Sequence, residues 1–335
     1  MKKIIGLVIV LIGSISYSQD VHFSQFYMSP LNQNPAMAGL DHDIQAILNY
    51  KDQWRNVNSP FRTFGVSYDM RAMSKSTESG FIAGGLNFVN DQAGSSKMGS
   101  TIANLSVAYH INLNKEMTLG AGVQAGIIQR GVNQQSLAWG TQYDGSAYNS
   151  SLPSGESAQL NSFTTFDMGA GLVWGYNNND GLKMNVGFSA FHLTQPDYSF
   201  LGSDESLYMK YVAHGNATIG LGDSRWAILP GFMYYRQGPA QEIYAGALGR
   251  VILTRNDDYV ENVEGAALSF GAFYRHNDAI SAQLLVDYAA FTFGMSYDIN
   301  ISDLQVASNG RGGLELSIRF VTDIFESKPG SNSRI

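Results

Sequence analysis

The sequence predicts an all-β fold: a transmembrane antiparallel β-barrel of about 14 strands with an N-terminal plug-like segment. Three observations carry this expectation. Beyond the first forty residues, apolar and polar side chains alternate with period two, the signature of strands with one apolar and one polar face. The alternating segments run about 9 to 13 residues, whereas strands of soluble domains cluster near 5 to 6 and a tilted bilayer-crossing strand needs about 9 to 11. Composition agrees: charged residues are 15% of the chain, against 36 glycines, 18 Phe, 18 Tyr and 4 Trp among 335 residues. Such low charge with many aromatics excludes a disordered chain. A mean hydropathy of −0.11 excludes a bundle of membrane helices.

The chain divides into four parts. Residues 1–18 read as a signal peptide: Lys2 and Lys3, an apolar run from Ile4 to Ile12 broken only by Gly6, and small residues at Ser16 and Ser18 of Ser16-Tyr17-Ser18, with cleavage expected before Gln19. Residues 19–42 form a periplasmic or plug segment, 43–321 the barrel, and 322–335 a tail. No later apolar stretch approaches the 18 residues or so of a membrane helix.

Strand centres fall near Leu48, Val66, Leu86, Leu105, Val123, Leu172, Val186, Gly215, Phe232, Ala247, Phe270, Leu284, Met295 and Leu316. Around Met295, Phe291, Phe293, Tyr297 and Ile299 oppose Thr292, Gly294, Ser296, Asp298 and Asn300. Apolar faces suit lipid; polar faces with Lys183, Glu242, Arg250, Asp287, Glu315 and Arg319 suit a wet or plugged lumen. Tyr50, Trp54, Tyr109, Trp174, Tyr176, Trp226, Tyr234, Tyr274, Tyr288 and Phe320 lie near strand ends, where interfacial girdles belong. With a periplasmic N-terminus, the turns Asn112–Lys115, Asn177–Gly181, Leu221–Arg225 and Ala289–Ala290 are periplasmic and short. The longest connection, Gly131–Ser162, is outer. Arg71–Ser79 and Thr254–Glu264 are long for periplasmic turns; the second carries Asp257, Asp258, Glu261 and Glu264 without metal-ligand spacing.

No catalytic motif and no cofactor site is present. A net charge of −7 with 21 scattered basic residues gives no nucleic-acid footprint. The absence of cysteine removes disulfides, thiolate chemistry and an N-terminal lipid anchor. His110 sits on a lumen face with Asn104 and Ser106, but no acid and nucleophile accompany it, so a polar lumen residue is expected rather than a hydrolase. The lumen charges show no clustering along the sequence, which speaks against a porin eyelet.

The informative stretch precedes the first strand. It is aromatic and amide-rich, and Pro30 and Pro35 oppose a long helix. Two readings stand together: it plugs or lines the periplasmic mouth, or it docks a partner. The run Phe23-Ser24-Gln25-Phe26-Tyr27-Met28-Ser29-Pro30-Leu31, then Asn34-Pro35-Ala36-x-Ala38-Gly39, resembles the opening signature of the PorP/SprF family. Gln53-Trp54-Arg55 and Ser59-Pro60-Phe61-Arg62-Thr63 continue the likeness, with Met37 where an aromatic is expected. The resemblance makes Phe23, Ser24, Gln25, Pro30, Asn34, Pro35, Ala36 and Gly39 the candidate plug or docking residues.

What the resemblance implies is a non-enzymatic outer-membrane component of the type IX secretion system. Its implied partners are secretion machinery proteins and cargo with sorting domains, such as gliding adhesins, besides outer-membrane lipid. Gly131–Ser162 and Thr194–Tyr208 are the outer loops expected to hold cargo. The alternative is a FadL-like transporter of hydrophobic small molecules with the N-terminal segment as its hatch.

Overall fold

The computed structural model describes residues 20–53, 61–72, 79–94, 98–132, 137–155, 162–178, 181–200, 205–222, 224–254, 265–302 and 310–323. Fourteen strands among them form one closed antiparallel barrel in chain order. They are β1 (Ile44–Gln53), β2 (Phe61–Arg71), β3 (Gly80–Ala93), β4 (Met98–Asn112), β5 (Met117–Gly131), β6 (Phe163–Asn177) and β7 (Leu182–Phe191), followed by β8 (Lys210–Gly220), β9 (Trp226–Gln237), β10 (Ala240–Thr254), β11 (Ala266–Arg275), β12 (Ala279–Tyr288), β13 (Phe291–Asn300) and β14 (Arg311–Thr322). Every expected strand centre lies inside its strand. The barrel closes where β1 pairs with β14, from Ile44 opposite Thr322 to Gln53 opposite Gly313. Closure gives each strand two neighbours, the requirement for a sheet in hydrocarbon.

Strand lengths reach further than the 9 to 13 residues expected: β4, β5, β6 and β10 each have 15. The reason lies in pairing. β5 and β6 stay hydrogen-bonded up to Arg130 opposite Phe163, beyond the point where apolar alternation stops marking them.

Alternation translates into faces. On β13, Phe291, Phe293, Met295, Tyr297 and Ile299 are exposed while Thr292, Gly294, Ser296, Asp298 and Asn300 are buried. Leu86, Leu105, Val123 and Leu172 stand 56–57% exposed on the outer wall. An apolar belt of that extent is stable only against lipid. The polarity is therefore inside out relative to a soluble domain, and the buried interior lies in the lumen.

One mouth gathers both barrel ends, Ile44 and Thr322, with the connections 72–79, 113–116, 178–181, 221–225, 255–265 and 289–290. The opposite mouth carries 132–162 and 192–209, the longest connections of the barrel. Short turns face the periplasm and long loops the exterior in such barrels, which fixes the orientation. Trp54 and the acidic group Asp257, Asp258, Glu261 and Glu264 fall outside the described residues, as do residues 1–18, expected to be a signal peptide, and all of the tail beyond Asp323. Within 132–162, a short 3₁₀ turn at Gly140–Gln142 and a bridge between Tyr143 and Tyr148 give the loop structure of its own.

Candidate functional site in the barrel lumen

The segment before β1 lies inside the barrel and does not stop at the periplasmic mouth. It is built from three 3₁₀ turns, Phe26–Met28, Pro30–Asn32 and Pro35–Met37. Both prolines open a turn, where a missing N–H is no loss. The Asn34 side chain caps the third by accepting from the Ala36 amide at 2.9 Å. Gly39 takes φ +63°, and a Cβ there would lie 2.5 Å from the Ala83 Cβ, so only glycine fits. Gln25, Met28, Asn34, Ala36 and Ala38 are fully buried.

Contacts descend in chain order from the outer to the periplasmic end. At the outer mouth the Asp20 carboxylate meets His192 Nε2 at 2.8 Å and Lys210 Nζ at 3.3 Å, and accepts from Gln237 Nε2 at 3.1 Å. Asp167 holds His192 from its other nitrogen at 2.8 Å. His192 and Gln195 adopt left-handed backbone, φ 57° and 42°, which turns the chain sharply at the end of β7.

Below this clamp lies a charged girdle. Glu315 accepts the amides of Ser24 and Gln25 at 2.7 and 2.9 Å, one on each carboxylate oxygen. Ser24 donates to Asp298 at 2.6 Å and accepts from Arg275 Nη2 at 2.8 Å. Arg275 also reaches Asp278 at 3.0 Å, Asp298 at 3.2 Å and Glu242 at 3.4 Å. Lys51 donates to the His22 carbonyl at 2.9 Å. These lumen charges cluster, contrary to the sequence expectation. Pairing of β10 with β11, β11 with β12, and β13 with β14 brings together residues far apart in the chain.

The middle of the segment packs on glycine. Phe26 fills a pocket of Tyr244 and Phe273, with ring centroids at 5.8 and 5.6 Å. Asn34 donates to the Leu172 carbonyl at 2.8 Å and meets His214 at 3.1 Å. Gly122 and Gly171, opposite each other on β5 and β6, leave room for Asn34-Pro35-Ala36 to press on the wall. At the periplasmic end Ala38 bonds His110 at 2.8 Å and Gly39 donates to Asp69 at 2.9 Å. Asp41 pairs with Lys183 and Asp43 with Arg71, both at 3.0 Å.

All eight candidate residues thus lie in this segment. Phe23, Ser24, Gln25, Asn34 and Gly39 make specific contacts with the wall, Pro30, Pro35 and Ala36 shape its turns, and Phe23 rests on Gly65. Sequence reading missed Asp20, His192, Lys210 and Gln237, and it missed Glu315, Lys51 and Arg275 as the segment's partners. His110 is buried, bonded to the Ala38 carbonyl and stacked on Phe81 at 4.6 Å.

Burial opposes charge on His192, but the Asp20 and Asp167 carboxylates outweigh it and push its pKa up from 6.5 to about 9. Burial likewise opposes charge on Asp20, and His192 and Lys210 override it, holding the carboxyl below its ordinary 3.8. The histidine's contribution is therefore complete below pH 6.5 and lost as pH rises through about 9, while that of Asp20 is lost only in acid. We expect the detergent-solubilised barrel to melt lower at pH 10 than at pH 7. His192→Gln should shrink that difference; an undiminished difference would assign it elsewhere.

Closed, lipid-facing and mostly polar within, the molecule is an outer-membrane β-barrel. The family described as "Type IX secretion system membrane protein PorP/SprF" matches residues 15–320, and the chain belongs to it. Among solved structures, it is similar to the toluene transporter TbuX of Ralstonia pickettii at 12% identity, covering 87% of this chain and 92% of that one with a TM-score of 0.46. It is also similar to BamA of Haemophilus ducreyi lacking POTRA domains 1–3, at 9% identity over 84% and 70% of the chains, with a TM-score of 0.43. Comparison with curated proteins gives no match.

Proposed function

We propose that this barrel is a non-enzymatic component of the type IX secretion system that holds cargo sorting domains, such as those of gliding adhesins, or machinery proteins at its surface. In this reading the signal peptide is removed after Ser18, and the N-terminal segment keeps the lumen shut. What supports it, beside family membership, is the series of contacts that the N-terminal segment makes along the inner wall, from Asp20 on His192 to Asp41 on Lys183. A barrel so filled offers partners its loops rather than its bore. The outer connections 132–162 and 192–209 then form the docking face, with Tyr143, Tyr148 and Tyr208 more than half exposed on it.

Deleting residues 132–162 should leave a folded, heat-modifiable barrel in the outer membrane while its cargo appears in the medium. Cargo that stays on the cell would overturn the proposal. The transporter reading asks for a lateral gap in the wall or a continuous apolar route through the lumen. The cavity beside Val21, His22, Phe23 and Phe26 measures about 20 Å³, room for little more than one water. Liposome swelling with hydrophobic solutes separates the two readings.

A further inference from the structure

We propose that Arg250, Arg319 and Ser269 form an oxyanion-binding site at the periplasmic end of the lumen, one that takes a single phosphate or carboxylate group.

Strand pairing assembles the site from residues far apart in the chain. Asp287 on β12 lies opposite Thr292 on β13, and Thr292 lies opposite Arg319 on β14. On the other flank, Arg250 of β10 lies opposite Ser269 of β11. Arg250 reaches across β11, past the small side chain of Ala267 opposite Asp287, and brings Nη2 to 3.2 Å from Asp287 Oδ2. Thr292 donates to Asp287 Oδ1 at 2.5 Å and accepts from Arg319 Nη2 at 3.1 Å. One carboxylate and one hydroxyl thus link two guanidiniums.

The balance of charge carries the proposal. Among the described residues, Asp287 is the one carboxylate at ion-pair distance from Arg250, and Arg319 has none. The next carboxylates outward on the inner wall, Glu315 and Asp298, are held by the Ser24 and Gln25 amides and by Arg275. At the mouth, Asp41 pairs with Lys183, Asp43 with Arg71, and Asp323 lies 3.6 Å from His42. Two guanidiniums therefore share one negative charge, where cations withdrawn from water need full compensation.

Hydrogen bonding points the same way. The Nε atoms of both arginines and the hydroxyl of Ser269, a fully buried residue, have no partner among the described residues. Asp287 Oδ2 has none either, so its contact with Arg250 is one of charge, and the Arg250 fork stays unspent. Buried donors in folded proteins find an acceptor, and the planar guanidinium fork suits carboxylate and phosphate oxygens. Access is from below. The side chains of Arg250 and Asp287 keep 17% and 15% exposure, near the periplasmic ends of β10 and β12. On the outer side the space is bounded by Tyr27, whose hydroxyl donates to Gln283 further out on β12.

The test is thermal melting of the purified, detergent-solubilised protein at neutral pH in sodium phosphate, sodium acetate or sodium chloride of matched ionic strength. Phosphate strengthens apolar burial in any protein, so the readout is the difference between the unaltered protein and its variants. The unaltered midpoint should rise and saturate with phosphate or acetate but not with chloride. Whichever of the two saturates at the lower concentration identifies the group the site takes. Arg319→Gln leaves the Arg250–Asp287 contact in place and should weaken that apparent affinity about tenfold or more; Ser269→Ala should weaken it less. Lys183→Gln, at the same mouth, should keep it. A rise that does not saturate, that is equal in Arg319→Gln and the unaltered protein, or that is lost as fully in Lys183→Gln, overturns the proposal. If Arg319→Gln does not assemble, Ser269→Ala decides, and an unchanged apparent affinity in that variant overturns the site.

Discussion

Replacing Arg275 with methionine should destabilise the folded barrel by about 3 to 5 kcal/mol, the order observed when one member of a buried ion pair is removed. Arg275 closes β11 with only 2% of its side chain exposed and faces three carboxylates, Asp278, Asp298 and Glu242. Its second terminal nitrogen donates to Ser24, and its guanidinium lies 5.1 Å from the centre of the Tyr244 ring. Methionine conserves much of the volume and removes all of the charge. Asp298 and Glu242 then remain buried without their guanidinium partner, and the Ser24 hydroxyl loses one of its two hydrogen bonds to the wall. The measurement is the urea midpoint of the folded, heat-modifiable band. Adding Asp298→Asn should recover part of the loss, because it removes a carboxylate left without its guanidinium. A midpoint unchanged in the single variant would show that the girdle contributes no net stability.

The second large effect is steric. Gly171→Val should force Asn34-Pro35-Ala36 off the wall, since a Cβ at residue 171 would lie 2.0 Å from Asn34 Oδ1 and 3.0 Å from Ser189 Cβ. The neighbours are a short, hydrogen-bonded amide and a side chain fixed on the wall, so neither can swing aside as the end of a long side chain would. Overpacking of this kind typically costs about 1 to 3 kcal/mol, and the Asn34 bond to Leu172 is lost in addition. Gly175→Ala is the comparison: its Cβ would meet Leu40 Cδ1 at 3.5 Å, an ordinary contact, and should be near neutral. Proteolysis at the segment should therefore rise in Gly171→Val and not in Gly175→Ala. Equal protection in both would contradict the tight seat assigned to Asn34.

Sequence periodicity sufficed for the barrel because a lipid-facing strand writes its environment into every second residue. β13 shows this in full: the alternation of Phe291 to Asn300 is its burial pattern. The turns Leu221–Arg225 and Ala289–Ala290 coincide with the connections 221–225 and 289–290 for the same reason, since apolar alternation stops where the bilayer does. What alternation omits is distance across the lumen. Lys51, Glu315 and Asp298 can each be read as inward-facing, but that Glu315 grips the amides of Ser24 and Gln25 follows only from closure of β1 on β14.

The reach of the N-terminal segment was hidden by the same gap. A Phe-, Asn- and Pro-rich stretch announces burial, but only the far contact of Asp20 with His192 shows that it runs the height of the barrel. Alternation alone puts Gly122 and Gly171 on the inner face and says nothing more of them. Their shared role, admitting the Asn34-capped turn, depends on strand register that no local pattern records.

In the proposed function the segment from Asp20 to Asp43 occupies the lumen and leaves the outer face as the working surface. Single-channel recording in planar bilayers tests it most directly. The full-length protein should show no steady conductance steps, and Gly171→Val, with its segment displaced, should show them. Stable open-channel steps from the unaltered protein would contradict the claim.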